Sequence, residues 1–200
     1  MSLSSDNEIK AWHEANAGIG GPTDAAAALL LPNDDQKWAK GYLAGWVKDG
    51  HRLFPSTCAL YAMSYMRARG VVHPMLSKPY AQQISMAPAI VETVARSCGA
   101  WTTDGDALAT YPSPGDVVRI GGLGVGELHI VCVRAVDAAT GALECTDGGQ
   151  LPDSTYVQNR SRLMVLVGGH PWLVKPEAPY VNGAPNGRPV TGRVLSLKLP

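Results

Sequence analysis

Residues 128–147, LHIVCVRAVDAATGALECTD, decide the fold class because they read as two strands joined by a tight turn. The runs from Leu128 to Val136 and from Ala142 to Asp147 are rich in β-branched and apolar residues, which is typical of strands. The segment between them, DAATG at 137–141, has the composition of a hairpin loop. The stretch therefore predicts an antiparallel hairpin.

The alternation of side chains places two ionisable residues on the same face of this hairpin. His129 shares a face with two valines, and this face is predicted to be the inner one because the opposite face carries Arg134. A loop centred on Ala139 puts residue 129 opposite residue 149, or opposite Asp147 after a shift of two residues. In either register His129 and Asp147 lie adjacent or diagonal on one face. The alternative for His129 is an ordinary hydrogen-bonded core histidine.

The rest of the chain reads as helices first and strands afterwards, which predicts an α+β fold with N-terminal helices packed on a central antiparallel β-sheet. The expected division is an N-terminal helical segment at 1–50, a core at 51–170, and a Pro/Gly-rich arm with a final strand at 171–200, all within one domain. A first short helix is predicted after a cap at Ser5 or Asp6 and ends before Gly18. Further predicted helices cover about 24–31, 34–49, 56–69 and 88–98, and further strands cover 116–120, 163–167 and 194–199.

Composition excludes several classes of function. Lys+Arg 17 against Asp+Glu 17 gives zero net charge, which argues against a nucleic-acid partner and against a basic membrane anchor. We find no apolar run of about 20 residues and no N-terminal leader pattern, so synthesis in the cytoplasm without a signal peptide is expected. The four cysteines form no C-x-x-C pair and the histidines lack ligand spacing, so we expect no metal site and no cofactor.

Cys58 is the candidate nucleophile, since it falls at about the second position of a predicted helix that starts near Ser56. Unsatisfied N–H groups and the positive end of the helix dipole lower the pKa of a thiol there and favour the thiolate. An inert cysteine in a first helical turn is the equally weighted alternative.

Together Cys58, His129 and Asp147 suggest nucleophilic acyl transfer. Cys58 would attack a carbonyl carbon, and its backbone N–H would help to stabilise the oxyanion. His129 would take the thiol proton and return it to the leaving amine, and Asp147 would fix the imidazole tautomer. Gln150, just beyond the second strand, is the alternative third residue.

Three stretches resemble those of papain-like cell-wall peptidases and amidases, the NlpC and CHAP groups: STCALYA at 56–62, PSPGDVVR at 112–119 and ELHIVCV at 127–133. The resemblance implies a papain-like fold with catalytic Cys58, His129 and a polar third residue on the next strand. It implies hydrolysis of an amide in peptidoglycan stem peptides or at the lactyl-peptide junction. Together with the expected lack of a signal peptide, this suggests a bacterial toxin exported by a specialised system, or a lysin released with phage, that acts on the cell wall. A cognate inhibitor protein is a possible partner. For substrate binding we single out Gln150, Trp101 and His51; core packing or solvated positions are the alternatives for the last two.

Two other functions stay open at this point. The chain could be a catalytically inactive papain-like binding module that docks through its Pro/Gly-rich arm. It could also be a related acyl-transfer enzyme, such as a protein deamidase or transglutaminase. A dinucleotide-binding role is disfavoured because the glycine-rich run GGLGVG at 121–126 lacks a Gly-Lys-Ser/Thr ending and lies between strands.

Overall fold

A computed structural model describes residues 3–17, 58–77, 87–121, 128–150 and 156–200 of the chain. The helices are α1 (Asp6–Asn16), α2 (Cys58–Ala68), α3 (Ala87–Ser97) and α4 (Gly105–Ala109), with 3-10 turns at Pro74–Ser77 and Ser196–Lys198. The strands are β1 (Trp101–Thr102), β2 (Val117–Ile120), β3 (His129–Val136), β4 (Leu143–Gln150), β5 (Tyr156–Val167), β6 (His170–Val174), β7 (Tyr180–Val181), β8 (Ala184–Pro185) and β9 (Gly187–Val194). The helices expected at 24–31 and 34–49 lie outside the described residues.

Six strands close into an antiparallel barrel in the order β2-β3-β4-β5-β6-β9. The barrel closes because β9 is long enough to pair with β6 through Gly187–Pro189 and with β2 through Val190–Val194. β1 adds to the free edge of β9 at Val194, and β7 and β8 form a separate ribbon. The expectation of a papain-like α+β fold, with helices packed on a central sheet, is therefore wrong; the described chain is mostly barrel with a few short helices.

The expected surface arm at 171–189 is the source of this error. β6 and the start of β9 lie in it, and they supply the strands that close the barrel. Its prolines sit inside regular pairings, with Pro171 opposite Leu166 and Pro189 opposite Trp172. The final strand also ends earlier than expected, because Ser196–Lys198 forms a 3-10 turn.

Two apolar cores follow from the alternation of side chains along the barrel strands. The inward side chains pack together inside the barrel, and they include Val118, Ile120, Val131, Val133, Leu143, Cys145 and Leu173. The outward side chains of β2 and β3 pack under the helices, and this second core includes Tyr61, Tyr65, Ile90, Val117, Ile130 and Cys132. Both faces of β3 are therefore buried, whereas the sequence predicted a single inner face.

The local elements beside the candidate site agree with the sequence. β3 and β4 form the predicted hairpin, with Cys132 opposite Thr146 and a bulge between Val133 and Ala135. Of the two residues expected to cap α1, Ser5 is the cap: its side chain accepts from the Glu8 N–H in a capping box. α3 starts one residue before its predicted first residue and ends one residue before its predicted last. The hairpin register is the one that places Asp147 diagonal to His129.

Gly187 makes the closure of the barrel possible, which gives a stability prediction. A Cβ at this position would collide with the backbone of Leu173 and Val174 on β6. We expect Gly187→Ala to lower the free energy of unfolding by about 3 kcal/mol, since a backbone collision cannot be relieved by a rotamer change. Gly105→Ala is the control, because its Cβ meets nothing within 4 Å and its φ is unstrained; we expect a gain of about 0.5 kcal/mol. Urea denaturation of both variants is the measurement, and equal midpoints would contradict the prediction.

Candidate active site

Cys58 is the first residue of α2, and its thiol is half-buried. The sulfur accepts hydrogen bonds from the backbone N–H groups of Ile130 and Ala59 and is hydrogen-bonded to the His129 ring. Burial alone would raise the pKa of Cys58, but the hydrogen bond and charge of His129, together with these N–H groups, hold the pKa below its ordinary 9.0. The predicted start of this helix near Ser56 lies outside the described residues.

His129 is the first residue of β3 and lies between the sulfur and a carboxylate. Its Nε2 is 2.6 Å from Oδ2 of Asp147, so Nδ1 is the ring nitrogen left to face Cys58. Burial alone would lower the pKa of His129, but the hydrogen bonds with Asp147 and Cys58 raise it to about 9. The imidazolium is therefore the favoured form of this ring at neutral pH.

Asp147 lies on β4 and is fully buried, whereas 17% of the His129 side chain is exposed. Oδ2 of Asp147 is also 3.4 Å from the guanidinium of Arg162 on β5. The position follows from the hairpin register, since Asp147 lies two residues beyond the partner of Val133 and shares its face. The carboxylate can thus act on the ring while remaining screened from solvent.

The structure brings Cys58, His129 and Asp147 together in hydrogen-bonding succession. A lowered thiol pKa beside a raised imidazole pKa favours a thiolate–imidazolium pair, the reactive form of a cysteine nucleophile. Cys58 and His129 are partly exposed, whereas the Asp147 side chain is fully buried. This arrangement can attack a carbonyl carbon and transfer a proton to the leaving group.

The remaining predicted site residues have other surroundings. Trp101 lies on β1 with its indole packed over Gly192 and the Arg119 guanidinium 4.8 Å from its ring centroid. These contacts are structural, and substrate binding by Trp101 stays a prediction. The backbone of Gln150 ends β4 beyond a register shift, opposite Tyr156, and its role also stays a prediction. His51 lies outside the described residues.

Sequence reasoning missed two sets of residues near the site. Arg162 pairs with Asp147 from β5, and Tyr61 hydrogen-bonds Thr146 and His13 beneath the site. A signal for Tyr61 was present, because it lies three residues after Cys58 and so on the same helix face. Neither Arg162 nor His13 has such a signal, since their contacts depend on how the barrel closes and where α1 docks.

Within the described ranges, no group of three His, Cys, Asp or Glu side chains is placed to hold a metal ion. No helix in the same ranges is both long enough and apolar enough to cross a membrane.

The cysteines should differ sharply in reactivity. Burial raises the pKa of Cys132 well above its usual range and that of Cys145 to about 12, whereas the pKa of Cys58 is lowered. With iodoacetamide at pH 7 we expect Cys58 to react at least about tenfold faster than either, because the thiolate is the nucleophile. Its rate should rise as pH climbs through the lowered pKa and level off at a lower pH than the rate of an ordinary cysteine. Peptide mapping by mass spectrometry gives the rates, and uniform slow labelling would contradict the ion pair.

Comparison of the chain with protein-family models, with curated proteins and with solved structures found no match.

Proposed function

We propose that the chain is a cysteine hydrolase that cleaves an amide bond by acyl transfer through Cys58, His129 and Asp147. The observation that carries the proposal is the continuous contact from a helix-borne thiol to His129 and on to a fully buried carboxylate 2.6 Å from the ring. An inert structural cysteine has no need of a partner that lowers its pKa, and Cys132 and Cys145 of this chain have the raised pKa values of that class.

The proposed reaction begins from the thiolate–imidazolium pair. The Cys58 sulfur attacks the carbonyl carbon, and the electron pair of the C=O bond moves to oxygen, where the Cys58 N–H stabilises it. The tetrahedral intermediate collapses, the C–N bond breaks, and Nδ1–H of His129 protonates the leaving amine to leave a thioester. His129 then takes a proton from water, whose oxygen attacks the thioester carbonyl. The C–S bond breaks, which releases a carboxylic acid and restores the thiolate–imidazolium pair of Cys58 and His129.

The proposed substrate is a peptidoglycan stem peptide, cut as an endopeptidase or amidase would cut it. Support comes from the resemblance of the stretches at 56–62, 112–119 and 127–133 to cell-wall peptidases and amidases, two of which carry Cys58 and His129. Zero net charge is compatible with a peptide or glycan partner and supplies no overall attraction for a polyanionic one. Action on the cell wall after export or phage release, and control by an inhibitor protein, belong to the same proposal.

Digestion of purified sacculi tests this function. Wild-type protein should release soluble fragments whose masses show new amines or free stem peptides, and the same protein alkylated at Cys58 should release none. Deamidation or cross-linking of added protein, with intact sacculi, would instead assign the acyl-transfer alternative. If none of these products form although Cys58 alkylates rapidly, the hydrolase proposal is wrong.

A further inference from the structure

A buried row of polar side chains lies directly beneath the candidate site. Nδ1 of His13 is 2.7 Å from the Tyr61 hydroxyl, which is also hydrogen-bonded to the Thr146 side chain. The Thr146 hydroxyl donates to Oδ1 of Asn159 at 2.7 Å. Relative exposures of His13, Tyr61 and Thr146 are all 0%. The row therefore joins α1, α2 and β4 through the interior and ends on β5 at Asn159, which is exposed.

The proton directions in this row are constrained by its chemistry. The single hydroxyl proton of Thr146 goes to Asn159, so Tyr61 donates to Thr146 and accepts from His13. Burial, with the charge of Arg134, lowers the pKa of His13 to about 3, so its ring is neutral. Burial likewise raises the pKa of Tyr61 well above its usual range. The row is thus an uncharged set of directional bonds.

Its two central members are next to the residues of the candidate triad. Tyr61 follows Cys58 by three residues on α2, and Thr146 immediately precedes Asp147 on β4. Apolar packing between α2 and the barrel is non-directional and permits small shifts of the helix. A buried hydroxyl–hydroxyl bond has one good geometry, and losing it leaves an unsatisfied polar group. The Tyr61–Thr146 bond therefore fixes the helix that carries the sulfur relative to the strand that carries the carboxylate.

We propose that Tyr61 is a positioning residue for Cys58: its hydroxyl, held between His13 and Thr146, keeps the sulfur within hydrogen-bonding reach of His129 while Asp147 orients the ring. The importance of this position for catalysis rests on the proposed function, but the position itself is measured by thiol chemistry and needs no substrate. A displacement of under an ångström would weaken the thiolate–imidazolium pair, because hydrogen bonds lose strength steeply with distance and angle.

The test compares Tyr61→Phe with Tyr65→Phe in the full chain. Tyr65 is a matched control, since it is equally buried on α2, donates to the Gly115 carbonyl at 3.1 Å and accepts from Arg69 at 3.1 Å. We expect Tyr61→Phe to lower the second-order rate of Cys58 with iodoacetamide about tenfold at pH 7, and to shift its pH profile upward by about one unit. Tyr65→Phe should be destabilised similarly and keep the wild-type rate and profile.

A second pair of variants guards against failure to fold. Thr146→Val removes the hydroxyl that Tyr61 binds and should slow Cys58 in the same way, whereas Thr146→Ser keeps a hydroxyl and should restore most of the rate. Equal effects of the two tyrosine variants, or a wild-type profile for folded Tyr61→Phe or Thr146→Val, would overturn the positioning role. Wild-type protein that leaves sacculi intact would remove the proposed function only, since the alkylation profiles would still decide the role of Tyr61.

Discussion

Cys58→Ala is expected to abolish the release of fragments from sacculi, with a fall in kcat of about 10⁴-fold or more. The sulfur is the atom that forms the thioester, and no second thiol can replace it. Cys132 lies in the core under the helices and Cys145 inside the barrel, both with raised pKa values. Initial rates of soluble fragment release, followed by mass spectrometry, are the measurement.

Two controls separate loss of the nucleophile from loss of the fold. Cys98→Ala removes a half-buried thiol that donates to the Val94 carbonyl on α3, and it should keep nearly full activity. Cys58→Ser keeps the shape of the side chain but supplies an oxygen that His129 does not ionise at neutral pH, so it should be nearly as inactive as the alanine variant. Both Cys58 variants should unfold cooperatively near the wild-type denaturant midpoint. Cleavage retained by folded Cys58→Ala would assign the chemistry to another residue.

The residues of the candidate triad could be predicted because local rules single each of them out. The predicted pairing puts His129 and Asp147 on one face, and the pairs beyond the bulge, Cys132 with Thr146 and Val133 with Cys145, have that register. Next to the loop, however, Val136 pairs with Leu143, and this register alone would put His129 and Asp147 on opposite faces. The bulge between Val133 and Ala135, which the sequence did not predict, restores the shared face. A helix that begins near Ser56 exposes free N–H groups to Cys58 without reference to the rest of the fold. The docking of α2 against β3, which brings Cys58 to the pair formed by His129 and Asp147, could be seen only in the structure.

The barrel could not be predicted because its closing strands have the composition of a loop. Pro171 and Pro189 cannot donate to a ladder, and Gly187 and Gly192 weaken a strand in isolation, so the segment reads as an arm. In the structure these glycines have a packing reason: Gly187 admits the backbone of β6, and Gly192 admits the Trp101 indole. Local propensity fails here because the need for a glycine at these positions is set by packing partners on other elements of the fold.

The positions of His13 and Arg162 were unpredictable for a related reason. Each reaches the site from a separate element, α1 or β5, and neither breaks the apolar pattern of its own segment in a way that indicates a partner. The Tyr61 hydroxyl is ambiguous in the sequence, since a tyrosine at a core position is usually accommodated by some hydrogen bond. The hydroxyl matters because its hydrogen-bond partner is Thr146, the residue next to Asp147, and the sequence does not show this pairing.

Asp147→Asn is expected to lower kcat by about 10²- to 10⁴-fold at pH 7 while the barrel stays folded. The amide has the shape of the carboxylate but not its charge, so it no longer stabilises the imidazolium through Oδ2. Without it the pKa of His129 falls from about 9, because burial opposes the charged ring, and the pKa of Cys58 rises as its partner loses charge.

The pH profiles distinguish this role from a structural one. Wild-type kcat/KM should increase as pH rises through the lowered pKa of Cys58, which gives the thiolate, and decrease as pH rises through about 9, which removes the imidazolium. In Asp147→Asn these limbs should approach each other and cross, leaving a low, narrow profile. Arg162→Gln is the control: it removes the second cation 3.4 Å from Oδ2 but leaves the bond to His129, so the rate should stay within about tenfold and the alkaline limb near 9. If Asp147→Asn kept the wild-type limbs, the buried carboxylate would serve the barrel alone, and Gln150 would become the residue to test as the third member of the site.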